Sequence, residues 1–188
     1  MRRRAKSETE DLTNPLPSKK RDIPLEAGKK IAEEFIAFTC DFYDRIEIGG
    51  SIRRKVPLIH DIDLCAIAKE PISRYSKVVK DAGGHMIRFG GEYATLLFRG
   101  VQINVLFTTP ETWGASLMWS TGPKGHTIGM NIKADQMGLK FKRTGIRNRS
   151  DDSLIPSPTE QDIAKLLHWD YKPPELRGLG QKERFDLF

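Results

Sequence analysis

The sequence predicts an α+β protein in which a sheet-rich part precedes a helix-rich part. Five strand patterns fall between Arg45 and Phe107, and three helix patterns follow Pro110. The composition shifts near residues 108–111, and a chain of 188 residues is long enough for two small subdomains. The predicted organisation is a disordered basic arm (residues 1–21), a first subdomain (22–110) and a second subdomain (111–188).

Each element follows from its own pattern. Leu25–Thr39 is predicted as a helix because its apolar residues recur on one face. Gly100 occupies the position of a tight hairpin between two strands. The predicted strands are Arg45–Ile48, Asp61–Ala68, His85–Phe89, Tyr93–Arg99 and Val101–Phe107, with a small hairpin from Leu139–Phe141 and Gly145–Arg147. The other predicted helices are Pro71–Asp81, Pro110–Trp119, Ile128–Met137 and Pro158–His168, the last with Thr159 as its cap.

The composition indicates in which compartment the protein functions. No apolar run approaches the roughly 18 residues of a membrane span, so we expect no membrane partner. No apolar core follows the basic N-terminus, so we expect an intracellular protein, of cytoplasm, nucleus or virus, that is not secreted. Cys40 and Cys65 are interpreted as buried, reduced thiols.

Charge placement predicts a polyanionic partner. The net charge is +6; residues 1–21 carry seven basic and three acidic residues, and 124–149 carry seven basic residues against Asp135. The segment 22–110 between them is neutral, with twelve charges of each sign. Basic zones on both sides of a neutral body suit a nucleic acid, although a solvated charged surface is the alternative. The candidate DNA contacts are Lys133, Lys140, Lys142 and Arg143.

A pair of carboxylates beside a glycine-serine turn is the most informative motif. Asp61 and Asp63 point to the same face of a strand, where both can bind the same metal ions. The preceding Gly50-Ser51 turn offers backbone N–H groups and a hydroxyl, which suit a phosphate. A phosphate site next to a metal pair indicates transfer of a nucleotidyl group with magnesium.

The remaining candidates surround this pair. Arg54 can hold triphosphate oxygens, with a surface ion pair as the alternative; Arg53 is a weaker candidate. A two-metal site normally needs a third carboxylate, yet the polar residue on the useful face of Val101–Phe107 is Asn104, which cannot accept a proton. The segment Trp119–Pro123 joins two helices, and its aromatic ring suits either a sugar or base contact or a core corner.

These motifs together resemble the family X DNA polymerases of the nucleotidyltransferase superfamily. Gly50–Arg54 followed by Asp61–Asp63 is similar to the family motif Gly-Ser-x-Arg-Arg…Asp-x-Asp, with the same spacing. Trp119–Pro123 looks like the Tyr-Phe-Thr-Gly element. Thr159–Ile163 together with Pro173–Arg177 resembles the C-terminal signature.

The resemblance spans about residues 22–180 and implies a fold. It implies a nucleotidyltransferase palm, a mixed sheet with flanking helices, over residues 22–110 and a small helix-rich thumb-like lobe over 111–188. The lyase domain and the helix-hairpin-helix fingers would be missing, as in the smallest viral members of the family.

The resemblance also implies roles. Asp61 and Asp63 would bind two Mg²⁺ ions, for which Mn²⁺ would substitute. Ser51 and Arg54 would hold the β- and γ-phosphates of the incoming nucleotide, and Gly50 would permit its close approach. The residues expected to contact the nucleotide sugar are Trp119, Ser120 and Gly122.

Four positions depart from the family pattern. Asn104 replaces the third catalytic aspartate, and Trp119-Ser120 replaces a Tyr-Phe pair. Asn131 replaces the thumb arginine that senses the nascent base pair, and Gln102 stands where the family often has arginine. Sugar discrimination, fidelity and catalytic rate are the properties that these changes affect.

The leading hypothesis is a DNA-directed DNA polymerase for short-gap filling or repair. Its expected partners are primer-template or gapped duplex DNA and a deoxynucleoside triphosphate, and we expect a monomer. The alternatives are a template-independent nucleotidyltransferase and a catalytically inactive nucleic-acid-binding protein. Asn104 motivates the second alternative, whether the amide is natural or an engineered substitution.

Overall fold

A computed structural model describes residues 22–178. The predicted basic arm, residues 1–21, lies outside the described residues, as do residues 179–188. The first part of the chain forms β1 (Ile23–Pro24), α1 (Leu25–Thr39), β2 (Tyr43–Ile48), α2 (Gly50–Arg53), β3 (Leu58–Ile59), β4 (Ile62–Ala68), α3 (Tyr75–Asp81), β5 (His85–Gly90), β6 (Tyr93–Phe98) and β7 (Val101–Phe107). The second part forms α4 (Trp113–Thr121), α5 (Lys124–Gln136), β8 (Leu139–Lys142), β9 (Gly145–Asn148), β10 (Leu154–Ile155) and α6 (Glu160–Leu166). The predicted α+β class is confirmed.

The first part is built on a mixed five-stranded sheet in the order β2-β4-β7-β6-β5. Strands β4 and β7 run parallel, and the other neighbours are antiparallel. The hairpin between β6 and β7 turns at Arg99 and Gly100, which both have positive φ. This register places Asn104 of β7 between Asp63 of β4 and Thr95 of β6.

The two faces of β4 have different neighbours. Ile62, Leu64 and Ala66 are completely buried in the main core, which includes α1 and α3. The aromatic rings of that core pack edge to face, as between Phe35 and Phe98 with centroids 5.3 Å apart. The alternate residues face α4, where Cys65 packs against Trp113 and Leu117. Asp63 shares this second face, so the fold directs it toward the second part of the chain.

The second part has its own core. Three helices, α4, α5 and α6, pack with the antiparallel sheet β8-β9-β10. The buried residues of this core are Ala115, Met118, Met130, Ala134, Leu139, Phe141, Ile146, Ile163 and Leu167. The lobe is therefore rich in helix, and the predicted two-stranded hairpin is part of a three-stranded sheet that β10 completes.

Local differences from the sequence predictions have physical reasons. Helix α5 begins at Lys124, four residues before the predicted start. The sequence did not indicate this first turn, because Gly125 and His126 do not belong to the apolar pattern from which the helix was predicted. Thr159 caps α6 as predicted, in a reciprocal capping box with Asp162. Cys65 is buried, but the prediction for Cys40 is wrong, because that thiol is exposed at the end of α1. Within the described part, no helix combines the length and apolar character of a membrane span.

Candidate active site

The glycine turn before α2 approaches β4 closely. The Gly49 N–H donates to the Asp63 carbonyl oxygen at 2.7 Å. Gly50 has φ +56°, and a Cβ at this position would lie 2.3 Å from Asp63 Oδ2. Only glycine tolerates both the left-handed backbone and this contact. The turn therefore places Gly50, the first residue of α2, directly beside the Asp63 carboxylate, and Ser51 follows it in the helix.

The burial pattern at the start of β4 places both carboxylates on the face opposite the main core, and of the two only Asp63 lines the clefts described below. Ile62 is completely buried, whereas Asp61 before it and Asp63 after it are half-buried. The alternation agrees with the shared face inferred from the sequence. Within residues 22–178, no group of three or more His, Cys, Asp and Glu side chains has the arrangement of a metal site. Two carboxylates and one amide are what this site offers.

Asn104 holds Asp63 through its amide nitrogen. Its Nδ2 donates to Asp63 Oδ1 at 3.1 Å. Its Oδ1 accepts from Gln102 Nε2 at 3.0 Å and from Thr95 Oγ1 at 3.3 Å. The amide is 7% exposed, and its oxygen is turned toward two donors rather than toward the carboxylates. The side chain at this position therefore orients Asp63 by a hydrogen bond and brings no negative charge.

Arg54 bridges the two parts of the chain at the site. Its guanidinium donates to Ser51 Oγ at 3.1 Å and to the Thr121 carbonyl oxygen at the end of α4. Burial lowers the pKa of Arg54, the Asp63 charge raises it, and Arg177 lowers it further. Arginine nevertheless remains charged in proteins, so a partly buried cation lies next to the glycine turn.

Two clefts meet at Asp63. The larger cleft, of about 470 Å³, lies between α2 and the α4–α5 junction, and the smaller cleft, of about 240 Å³, lies between the sheet and the β8–β9 turn. Residues that line both clefts are Asp63, Trp119 and Ser120. The larger cleft is also lined by Ser51, Arg54, Gly122, Lys124, Thr127 and Asn131, and the smaller by Tyr93, Asn104, Leu106 and Arg143. A group in one cleft and a group in the other can thus approach the same carboxylate.

Trp119 combines the two alternatives that the sequence left open. Its ring packs edge to face against Phe141 of the second core, with centroids 5.3 Å apart. The side chain is also only half-buried and forms part of the wall of both clefts. Gly122, with φ +65°, lies so close to Arg54 that a Cβ would be 3.3 Å from Nη1. The α4–α5 junction is therefore positioned against the phosphate-binding candidates.

Arg53 is engaged in a buried ion network. Its guanidinium donates to both carboxylate oxygens of Glu160, at 2.8 and 2.9 Å, and to Thr121 Oγ1 at 2.8 Å. Arg177, whose side chain is completely buried, donates to the same carboxylate at 3.0 Å. Burial opposes ionisation of Glu160, but the hydrogen bonds from the two arginines outweigh it and lower the pKa. Arg53 thus joins the lobes through a partner 107 residues away, a contact that no local sequence pattern indicates.

The four candidate DNA contacts lie in different places. Arg143, in the β8–β9 turn, lines the smaller cleft, with its guanidinium carbon 5.3 Å from the centre of the Tyr93 ring. Lys140 pairs with Asp152 at 3.2 Å on the outer sheet. Lys142 is exposed at the end of β8, and Lys133 is half-buried in α5.

Tyr93 and Thr95 are site residues that the sequence reasoning did not identify. They alternate with the buried residues Ala94 and Leu96 on β6. A polar alternation on the strand after a Gly-Gly turn is the signal that could have placed them on the same face as Asn104.

Comparison with known families bears on the second part of the chain. The family model described as DNA polymerase beta thumb matches residues 116–178. This segment, which is less than half of the chain, is similar to a DNA polymerase beta thumb. The matched segment runs from within α4 to the end of the described residues. The match supports the resemblance to the family X DNA polymerases that the sequence motifs indicated. A polymerase thumb implies DNA binding. No curated protein shows significant similarity to the chain.

Proposed function

We propose that the protein is a DNA-directed DNA polymerase that transfers a nucleotidyl group to a primer 3′-hydroxyl, in short-gap filling or repair. The observation that carries the proposal is the meeting of two clefts at Asp63, one beside a glycine-serine turn and one beside the β8–β9 turn. A transferase needs a donor and an acceptor on opposite sides of the reacting centre. The larger cleft would hold the donor and the smaller cleft the acceptor.

The donor site rests on Ser51 and Arg54. The hydroxyl at the start of α2 and the adjacent guanidinium offer several N–H and O–H donors to phosphate oxygens. Nucleotide binding would replace the contact between Arg54 and the Thr121 carbonyl, or share its guanidinium. Trp119 and Gly122 form the wall where the sugar of the nucleotide would lie.

The residues at the site match the ligand preferences of magnesium only in part. Asp61 and Asp63 would hold it, because they supply hard oxygen ligands and because Gly50 leaves the space beside Asp63 Oδ2 that a Cβ would fill. When bound, magnesium would align the phosphates and neutralise the charge that develops on them. The third position departs from this pattern, since Asn104 directs an N–H toward Asp63.

Asn104 would limit the rate of the chemical step. The primer 3′-oxygen must lose its proton as it bonds to the α-phosphorus and pyrophosphate leaves. A carboxylate in the third position could accept that proton, and an amide cannot. The expected protein therefore binds DNA and nucleotide and incorporates the nucleotide slowly.

Incorporation of one labelled nucleotide into a gapped duplex tests the proposal. We expect slow, magnesium-dependent insertion that is faster with a template base than on a single strand. The Asp63→Asn variant should abolish it. The matched variant Asp81→Asn, at an exposed carboxylate paired with Lys77 on α3, should not.

Two outcomes would favour the alternatives. Equal rates with and without a template would indicate a template-independent nucleotidyltransferase. Tight DNA binding without incorporation, in this chain and in its Asn104→Asp variant, would indicate an inactive DNA-binding protein.

A further inference from the structure

The chain enters the described part of the structure directly beside the carboxylate pair. Asp22 Oδ1 lies 3.1 Å from His60 Nδ1, and His60 is the residue before Asp61. The two residues after Asp22 form β1, in which Ile23 pairs with Ile59 of β3 in antiparallel register. Strand β3 ends immediately before His60, so two kinds of contact hold the same junction. Residue 22 is therefore anchored at the start of β4.

This anchor is packed on α1. Ile59 is completely buried, and a Cβ on Gly28 of α1 would lie 2.2 Å from its Cδ1. The Leu25 N–H at the start of α1 donates to the Pro57 carbonyl oxygen at 3.0 Å. An exposed polar contact such as that of Asp22 with His60 contributes little by itself. The buried contacts around Ile59 thus fix the place where the basic arm, residues 1–21, joins the fold.

The arm joins the fold on the donor side of Asp63. Helix α1 packs against β1, β3 and α2, and α2 together with its end contributes Ser51 and Arg54 to the larger cleft. The residues that line only the smaller cleft belong to β4, β6, β7 and the β8–β9 turn. Among the described residues, none that precedes Asp63 lines the smaller cleft. A nucleic acid whose acceptor end lies in the smaller cleft therefore reaches the arm only beyond the donor site.

The residues next to the anchor carry concentrated positive charge. Lys19, Lys20 and Arg21, here called the proximal triplet, directly precede Asp22, and residues 12–21 contain no acidic residue. Covalent geometry keeps the triplet within about 11 Å of chain from Asp22, since one residue spans at most about 3.6 Å. The segment 22–110 is neutral overall, so the triplet adds a net positive charge to the donor side of the first subdomain.

A nucleic-acid strand matches this arrangement of charge. Each strand of a duplex carries one phosphate per about 3.4 Å of helix axis, so three consecutive cations can meet phosphates of one short stretch. A nucleoside triphosphate in the larger cleft already has Ser51 and Arg54 as candidate phosphate partners. The proximal triplet lies outside that pair and is available to a longer polyanion.

We infer that the proximal triplet contacts the phosphates of DNA on the far side of the donor site, beyond the nucleotide that is being added. The DNA is then held on both sides of Asp63, by the second subdomain at the acceptor end and by the arm ahead of it. The charge of the arm gives no position by itself, and the anchor beside Asp61 supplies the position. This inference rests on the proposed function, which sets the order of acceptor, Asp63 and donor.

The test compares two DNA substrates that share the same acceptor duplex. In the gapped substrate a second duplex follows a gap of one nucleotide, and in the short substrate the template ends one nucleotide after the acceptor strand. Fluorescence anisotropy at several salt concentrations, without nucleotide or metal, gives the affinity of the full chain for each. Each neutralised phosphate contributes about 0.9 to the slope of log affinity against log salt, so the gapped substrate should have a slope steeper by about 3.

Charge-matched variants separate the anchored triplet from the rest of the arm. Replacement of the whole proximal triplet by alanine should remove the difference in slope and leave the short substrate unchanged. Replacement of Arg2–Arg4 by alanine makes the same change in charge far from the anchor and should retain the difference. An insertion of about eight Gly and Ser residues between Arg21 and Asp22 keeps every charge but separates the triplet from its anchor. It should weaken binding of the gapped substrate alone.

Two results with the proximal alanine variant would overturn the inference. The first is an unchanged slope for the gapped substrate, or an equal fall for both substrates. The second is a loss of nucleotide affinity with DNA binding intact, because the triplet would then serve the triphosphate in the larger cleft. Binding of the short substrate is the control for correct folding of each variant.

The binding test is independent of catalysis. If the chain incorporates no nucleotide under any condition but the triplet still determines the slope for the gapped substrate, the proposed function fails and the DNA contact stands. If incorporation is normal and the slope does not depend on the triplet, the DNA contact fails and the proposed function stands.

Discussion

Replacing Glu160 by glutamine removes the negative charge that Arg53 and Arg177 share in their buried ion network. Glu160 is 5% exposed, and the side chain of Arg177 is completely buried. Loss of one partner from a buried ion pair costs about 3–5 kcal/mol, because it leaves an uncompensated buried charge. The glutamine oxygen can still accept one hydrogen bond, so we expect the lower end, about 3 kcal/mol of unfolding free energy.

Thermal and urea unfolding measure this change. A loss of 3 kcal/mol corresponds to a decrease in Tm of about 6–12 °C for a chain of this size. Glu175→Gln is the matched control, since its carboxylate pairs with Lys55 at 3.9 Å on the surface. An exposed pair of this kind contributes about 0–1 kcal/mol. Equal stability of the two variants would refute the reasoning that the buried network joins the lobes.

The pH dependence gives a second check on Glu160. Its pKa is lowered in the folded protein because the hydrogen bonds from Arg53 and Arg177 outweigh the effect of burial. A carboxylate with a lowered pKa stabilises the fold above its ordinary value of 4.5 and loses that contribution as the pH falls through the lower folded value. The difference between the original chain and Glu160→Gln should therefore shrink in acid below about pH 4.5.

Three further variants test individual features. Arg54→Ala should weaken nucleotide binding by about 1.5–3 kcal/mol and DNA binding much less, as measured by titration of each ligand, because it removes a charge-assisted contact to phosphate. Gly50→Ala should abolish magnesium-dependent nucleotide binding, because its Cβ would lie 2.3 Å from Asp63 Oδ2. Gly83→Ala is its control: it introduces the same strain of a positive φ, but its Cβ would have no atom within 4 Å. In the folded protein, burial and then the charge of Arg177 lower the pKa of His126 from 6.5 to about 4. As the pH falls from about 6.5 to 4, the unfolded chain therefore binds this proton first, and the original protein loses stability. His126→Phe should remove this loss.

Each of these variants has a contrary result. Equal losses of nucleotide and DNA affinity in Arg54→Ala would count against a phosphate role. Gly50→Ala with nucleotide binding like that of Gly83→Ala would show that the turn does not position Asp63. An unchanged pH profile in His126→Phe, measured by urea unfolding, would show that His126 is not the titrating group; its buried Nδ1 has no hydrogen-bond partner among the described residues.

Regular periodicity made much of the fold predictable. The bounds of α1 and β7 agree with the sequence predictions, because a continuous apolar pattern defines both. The start of α5 was missed because tertiary contacts, such as the His126 ring against Trp169, bury residues that have no apolar period. The two-residue strands β1 and β3 are too short to show any period.

From the sequence, only those parts of the candidate site could be predicted whose residues lie close together along the chain. Spacing predicted that Asp61, Asp63 and Gly50 lie together, because all three belong to one short stretch of the chain, residues 50–63. The direction of the Asn104 amide depends on Gln102 and Thr95, and the second of these lies on another strand. Contacts of this kind are set by the register of neighbouring strands, which a single sequence does not contain.

Single-turnover incorporation on a gapped duplex, with the original chain and Asn104→Asp in parallel, tests the central claim most directly. An aspartate would replace the N–H that Asn104 directs at Asp63 Oδ1, 3.1 Å away, by a charged oxygen that can accept the proton of the primer hydroxyl. We predict at least about 10²-fold faster incorporation by the variant, with far smaller change in nucleotide affinity. Equal rates for the two proteins would contradict the account, because position 104 would then not be the third catalytic position.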